Sequence, residues 1–179
     1  MKRVSLIAAL AGVSLTLMGS APLRRASALI DDATILARFE EMVSADVSCA
    51  QLAVERGHSK EMKDFAGVLV REHGMARQMA RDVAMQLHIT LKSSSDGPRA
   101  AEHEKVLKEL RNRPDIAFDV LFARHEIEYH KELVALIDKE WLPAAKDADL
   151  SAMLAQVGPA FEAHQKMAEG LAKQLGPRE

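Results

Sequence analysis

From about Asp32 onward, apolar residues return every three or four positions, the period of a helix with one buried face. A first helix is predicted over about Asp32 to Arg56, with Ile35, Phe39, Met42, Cys49 and Ala53 on its stripe. Gly57 ends it, and Ser59 is placed to cap the next helix. That second helix reaches about Leu87 along Met62, Ala66, Leu69, Ala76, Met79, Val83 and Leu87. Ser93-Ser94-Ser95-Asp96-Gly97-Pro98 is a break, followed by a short amphipathic helix over about Arg99 to Leu110. A third long helix is expected over about Asp115 to Glu140, using Ile116, Val120, Ala123, Ile127, Val134 and Ile137, with Trp141-Leu142-Pro143 as its stop. A fourth runs over about Ala148 to Leu175 on Leu150, Leu154, Val157, Phe161, Ala168 and Leu171, with Pro159 inside it. The fold expected is all-α: an antiparallel four-helix bundle with a long crossover carrying a short helix between helices 2 and 3.

The stripes are interrupted at one position per helix. Asp46 stands between Met42 and Cys49, His73 between Leu69 and Ala76, His130 between Ile127 and Val134, and His164 between Phe161 and Ala168. Asp46 lies 12 positions before His58 in the first hairpin turn and His73 lies 15 after it. At ~1.5 Å per residue that is a mismatch of less than one turn. His130 and His164 flank the second turn with a mismatch of about one turn by the same rise. Four groups from four helices are thus expected near one depth of the bundle. Three imidazoles and a carboxylate suit a tetrahedral or trigonal site for a divalent transition metal, zinc or copper, with iron as a further candidate. Glu72 and Glu126 stand close enough in sequence to serve as extra ligands or as carboxylates behind the histidines. Cys49, one turn from Asp46, is another candidate.

A single histidine on an apolar face is ordinarily a core residue with one hydrogen bond, and Asp46 beside a buried imidazolium would make a polar network instead. The recurrence of one ionisable group per helix is what favours metal. Glu55 and His58 read as a surface pair at a helix end, and His88, His103 and His125 as surface residues. Met75 and Met79 have the spacing of a soft copper(I) site, and equally of core filler.

Composition narrows the class further. The net charge of -2 over 179 residues offers no basic field for nucleic acid. One cysteine precludes an internal disulfide. Lys2 and Arg3 precede an uncharged run of 15 residues, Val4 to Met18, and Ala26-Ser27-Ala28 offers a cleavage motif. The expected organisation is therefore a signal peptide over residues 1–28 and a bundle domain over 29–179, located in the periplasm or secreted. No stable membrane insertion is expected after cleavage, since the apolar run falls short of a spanning helix. No nucleotide-binding glycine loop, Gly-x-Ser-x-Gly or Cys-x-x-Cys occurs, so catalytic residues and an organic cofactor are not indicated.

The stretches Ala45-Asp46-Val47 through Gln51-Leu52-Ala53, Met62 to Ala66, Val70-Arg71-Glu72-His73, Ala117-Phe118-Asp119, His130-Lys131, Leu133 to Leu136, and Pro159 through His164 to Ala168 together resemble the DUF4142 family of exported bacterial proteins. The resemblance implies a ferritin-like bundle and export. The family typically carries Asp-His in its second and third helices, where this chain has Glu72-His73 and Tyr129-His130, and often Glu where this chain has Asp46. A carboxylate-bridged di-iron site needs Glu-x-x-His, but the residues three before the histidines are Val70, Ile127 and Phe161. The function expected is a periplasmic metal-binding bundle in metal handling or envelope stress tolerance. The alternative is a metal-free structural or protein-interaction module of the envelope, with a homodimer or an unknown envelope protein as partner.

Overall fold

The computed structural model describes residues 30–91 and 99–176; the expected signal segment lies outside them. The described residues are helical, with no strand among them. The elements are α1 (Asp32–Arg56), α2 (Lys60–Gln86), α3 (Ala100–Arg111), α4 (Asp115–Leu136), a π-helical turn (Ile137–Trp141), α5 (Leu142–Ala144) and α6 (Ala148–Leu175).

The helix ends follow local chemistry. Asp31 caps α1 by accepting from the Thr34 N–H, Ser59 caps α2 through Met62, and Asp147 caps α6 through Asp149 and Leu150. Gly57 closes α1 with its N–H on the Ala53 carbonyl, so tightly that an added Cβ would stand 2.7 Å from that oxygen. Asp119 of α4 braces the α1–α2 turn. Its Oδ1 accepts the His58 N–H at 2.8 Å, and its Oδ2 accepts the Ser59 N–H at 2.9 Å and hydroxyl at 2.7 Å.

The long helices pack α1 on α2, α4 on α6, α2 on α6 and α1 on α4, while α3 lies against α1 and α4. Two apolar clusters form the core. One joins the first half of α1 (Ile35 to Val43), the second half of α2 (Ala76 to Ala84), Leu133 to Trp141, and the first half of α6 (Leu150 to Phe161). The other joins Cys49 to Ala53, Met62 to Leu69, Phe118 to Ala123, and Ala168, with Leu107 and Leu110 of α3 added. This membership sets the directions. The partners α1 and α2 run opposite ways, as do α4 and α6, whereas α2 and α4 run the same way. The connection carrying α3 must therefore travel back along the molecule. In each long helix the residues between the two clusters are the polar interruptions seen in the sequence.

Two expectations need correcting. The third long helix does not stop at Trp141-Leu142-Pro143. The chain stays helical to Ala144 through the π turn, whose wider register leaves Pro143 in the first turn of α5, where no N–H is needed. The buried face of α4 is also rotated from the expected one. Phe118, Asp119, Phe122, Ala123, Glu126, His130 and Leu133 are buried, while Ile116, Val120, Ile127 and Val134 are only half-buried. Apolar residues surround α4 on most sides because α3 covers part of its outer surface, so periodicity alone did not select the face. Pro159 leaves α6 continuous from Ala148 to Leu175.

Candidate metal centre

Between the two apolar clusters Asp46, His73, Glu126, His130 and His164 are all at most 1% exposed. The three imidazole rings form a nearly equilateral triangle, with centroids 5.2 Å (His73–His130), 5.1 Å (His73–His164) and 5.2 Å (His130–His164) apart. Phe161 closes one side, stacked on His73 at 4.7 Å. One nitrogen of each ring turns inward. His73 Nε2 lies 3.1 Å from His164 Nδ1 and 3.2 Å from His130 Nε2. The tetrahedral edge for Zn–N bonds of the usual length is about 3.3 Å.

The outer nitrogens assign the protons. His130 Nδ1 lies 3.0 Å from the Glu126 carbonyl, which can only accept, with the Glu126 carboxyl at 3.3 Å. His164 Nε2 lies 2.8 Å from Glu72 Oε2. His73 Nδ1 lies 2.9 Å from Asp46 Oδ2, although neither atom makes an aligned hydrogen bond there. A ring lone pair against a carboxylate oxygen at that distance would be repulsive, so Nδ1 of His73 carries the hydrogen. Neutral rings held in this way turn three lone pairs toward one another. That arrangement requires a proton or a cation among them, because like ends of dipoles at hydrogen-bond distance repel.

The carboxyl groups behave differently from one another. Burial acts to raise Asp46, but the charge and the close ring N–H of His73, with help from His130 and His125, outweigh it and hold Asp46 well below the usual carboxylate range. Burial and the charge of Asp46 push Glu126 well above that range. Both oxygens of each group lack a hydrogen-bond partner among the described residues. Glu72 is lowered, chiefly by its hydrogen bond with His164. Burial brings His164 down to about 4, against the opposing pull of Glu72.

The sequence-derived set thus meets in one place: Asp46, His73, His130 and His164 at its heart, Glu126 beside His130, and Glu72 on the outer nitrogen of His164. Asp46 faces the outer Nδ1 of His73 and stands 3.7 Å from the inner Nε2 of His130. Cys49 is elsewhere. It turns toward α3, with its Sγ 3.9 Å from His103 Nδ1, and burial pushes its thiol up. His103 and His125 are half-buried rather than on the surface, because α3, which carries His103, docks against α1 and against α4, which carries His125. Glu55, His58 and His88 are exposed. Met75 is 54% exposed and so is not core filler, whereas Met79 packs against the first cluster. Asp119 stands outside the candidate site residues of the sequence pattern, although it lies on one line with Ala123, Glu126 and His130 at helical spacing.

No helix among the described residues is long and apolar enough to cross a membrane. Comparison with curated proteins and with solved structures found no match. The model of the family described as Domain of unknown function (DUF4142) matches residues 18–171, and the chain belongs to that family.

Proposed function

We propose that this protein is an exported, ferritin-like antiparallel four-helix bundle that binds one divalent transition metal and serves in metal handling or stress tolerance of the envelope. His73, His130 and His164 are the imidazole ligands. The observation carrying this reading is the convergence of their three inner nitrogens while each outer nitrogen meets an acceptor. Rings oriented by carboxylates and carbonyls behind them are the usual arrangement of metal-bound histidines. Asp46 supplies compensating charge through His73, and its carboxylate is the nearest candidate for a fourth position. Nitrogen-rich donors favour zinc or copper over magnesium or calcium.

The test is elemental mass spectrometry on protein purified without a His tag or added metal. Near-stoichiometric zinc, copper or iron that vanishes in the His73→Ala/His130→Ala/His164→Ala variant supports the reading. No bound metal, together with no thermal shift on adding these ions, rejects it. One observation favours the metal-free reading: a single imidazolium in the triangle, balanced by Asp46, would also relieve the opposed lone pairs. In that case the layer acts as a register-setting polar network, and the search turns to envelope protein partners.

A further inference from the structure

The centre is sealed, so an ion needs a way in. A cavity of about 450 Å³ lies between α1, α3 and α4. Its walls include Ala45 on α1 and His125 and Tyr129 on α4. These are the immediate chain neighbours of Asp46, Glu126 and His130. The cavity therefore backs onto the stretches of α1 and α4 that turn those three groups inward. Its rim carries the exposed carboxylates of Glu102, Glu104 and Glu128. Arg99, the one arginine or lysine of its lining among the described residues, is held by Glu132 at 2.7 and 2.9 Å. Such a mouth has a negative potential that gathers cations.

The chemistry met on entry differs between the two sides of the bundle. From the α2–α6 side an ion meets Glu72 and then the outer, hydrogen-bearing nitrogen of His164. From the α1–α4 side it meets the unpartnered oxygens of Glu126 and Asp46, both buried. An oxygen of each lies within 4.8 Å of a ring nitrogen of His130, and Asp46 Oδ2 stands 3.7 Å from its inner Nε2.

Resting on the metal reading above, we propose that the α1–α3–α4 cavity is the loading vestibule of the centre, which collects a hydrated divalent cation and passes it by Glu126 and Asp46 to the histidines. The oxygen groups would strip water from the ion in steps, and α3 would serve as the outer wall of the passage.

The test is the rate of cobalt(II) uptake, followed by absorption, in protein expressed from its full sequence and stripped of metal. Ala45→Phe fills the cavity from α1 without touching a ligand. It should slow association about tenfold while leaving the final spectrum and the equilibrium affinity as in the parent. Glu102→Gln/Glu104→Gln/Glu128→Gln changes only exposed residues, so it keeps the proposal testable should Ala45→Phe fail to fold. This triple variant should lower the rate several-fold at low salt and flatten its salt dependence. Glu162→Gln/Glu169→Gln on α6 should leave the rate unchanged. An unaltered rate in both cavity variants overturns the proposal, as does a larger effect from the α6 pair. A parent protein that takes up no cobalt defeats the metal reading itself, whereas normal uptake that is insensitive to the cavity defeats only the route.

Discussion

His73 and His164 bring two ring nitrogens within 3.1 Å of each other, while Glu72 holds the other nitrogen of His164 at 2.8 Å. A neutral His164 that donates to Glu72 turns a lone pair toward His73, and a neutral His73 whose hydrogen faces Asp46 turns a lone pair back. The apo centre must therefore carry an extra proton or accept an opposed pair of lone pairs, and a metal ion removes the conflict without a rearrangement of the rings. Preorganised rings of this sort bind metal with little loss of side-chain freedom.

Removing one inner nitrogen should be decisive. His73→Ala deletes the ring that touches both other imidazoles, and it also leaves Asp46 without its principal neighbour. Metal affinity should fall by more than the roughly 10–100-fold typical of losing an outer-shell partner. Titration calorimetry with zinc and competition with a chromophoric chelator would measure the loss. Full affinity in this variant would remove His73 from the ligand set.

Glu72 should act at one remove. Glu72→Gln keeps the size of the side chain and loses the charge that orients His164, so affinity should fall by about 10–100-fold with stoichiometry preserved. Because Glu72 is partly exposed, its loss should change apo stability by less than about 1 kcal/mol. A loss of stoichiometry would instead make Glu72 a direct ligand.

The centre was far more legible in the sequence than its surroundings. Asp46, His73, His130 and His164 each break an otherwise apolar stripe, and a break in a periodic pattern marks a buried polar group whatever the details of packing. Glu126 and Asp119 were harder to place. They belong to the true inner line of α4, but α4 also has apolar residues on the sides that meet α3. Where a helix is covered on several sides, hydrophobic period no longer distinguishes inside from outside. The cavity was not legible at all, since it arises from the docking of the crossover helix, which the chain pattern does not encode. Nor was the π turn, because Pro143 reads as a stop unless the wider register that accommodates it is known.

Acid should weaken the apo fold through His164. The folded state depresses this imidazole from the usual 6.5 to about 4, mainly by burial. Between those values the unfolded chain binds more protons than the folded one, so stability falls as pH falls through this window and is fully present above it. Melting temperature measured between pH 7.5 and 4.5 should therefore decline more in the parent apo protein than in His164→Gln. Equal slopes in the two proteins would show that His164 is free to ionise in the fold. Bound metal should raise the melting temperature most at neutral pH, because protons compete for the same nitrogens.

Asp119 separates stability from binding. Its two oxygens receive three hydrogen bonds from His58 and Ser59, it is fully buried, and it makes no contact with the imidazole triangle among the described residues. Asp119→Ala would strip the acceptor from two backbone N–H groups at the start of α2 and loosen the tie between the α1–α2 turn and α4. Hydrogen bonds to a charged group contribute about 1.5–3 kcal/mol each and are not additive when shared, so a net loss of about 2–4 kcal/mol is expected. Asp119→Asn should recover part of that loss, since its amide oxygen can keep both bonds from Ser59 while its NH2 faces one donor, the His58 N–H. Urea unfolding of the apo forms would give the loss in stability, and zinc titration of the folded fraction should give an affinity close to that of the parent. A large fall in affinity with unchanged stability would instead mean that the brace at this end of α4 sets the position of His130, three helical turns away.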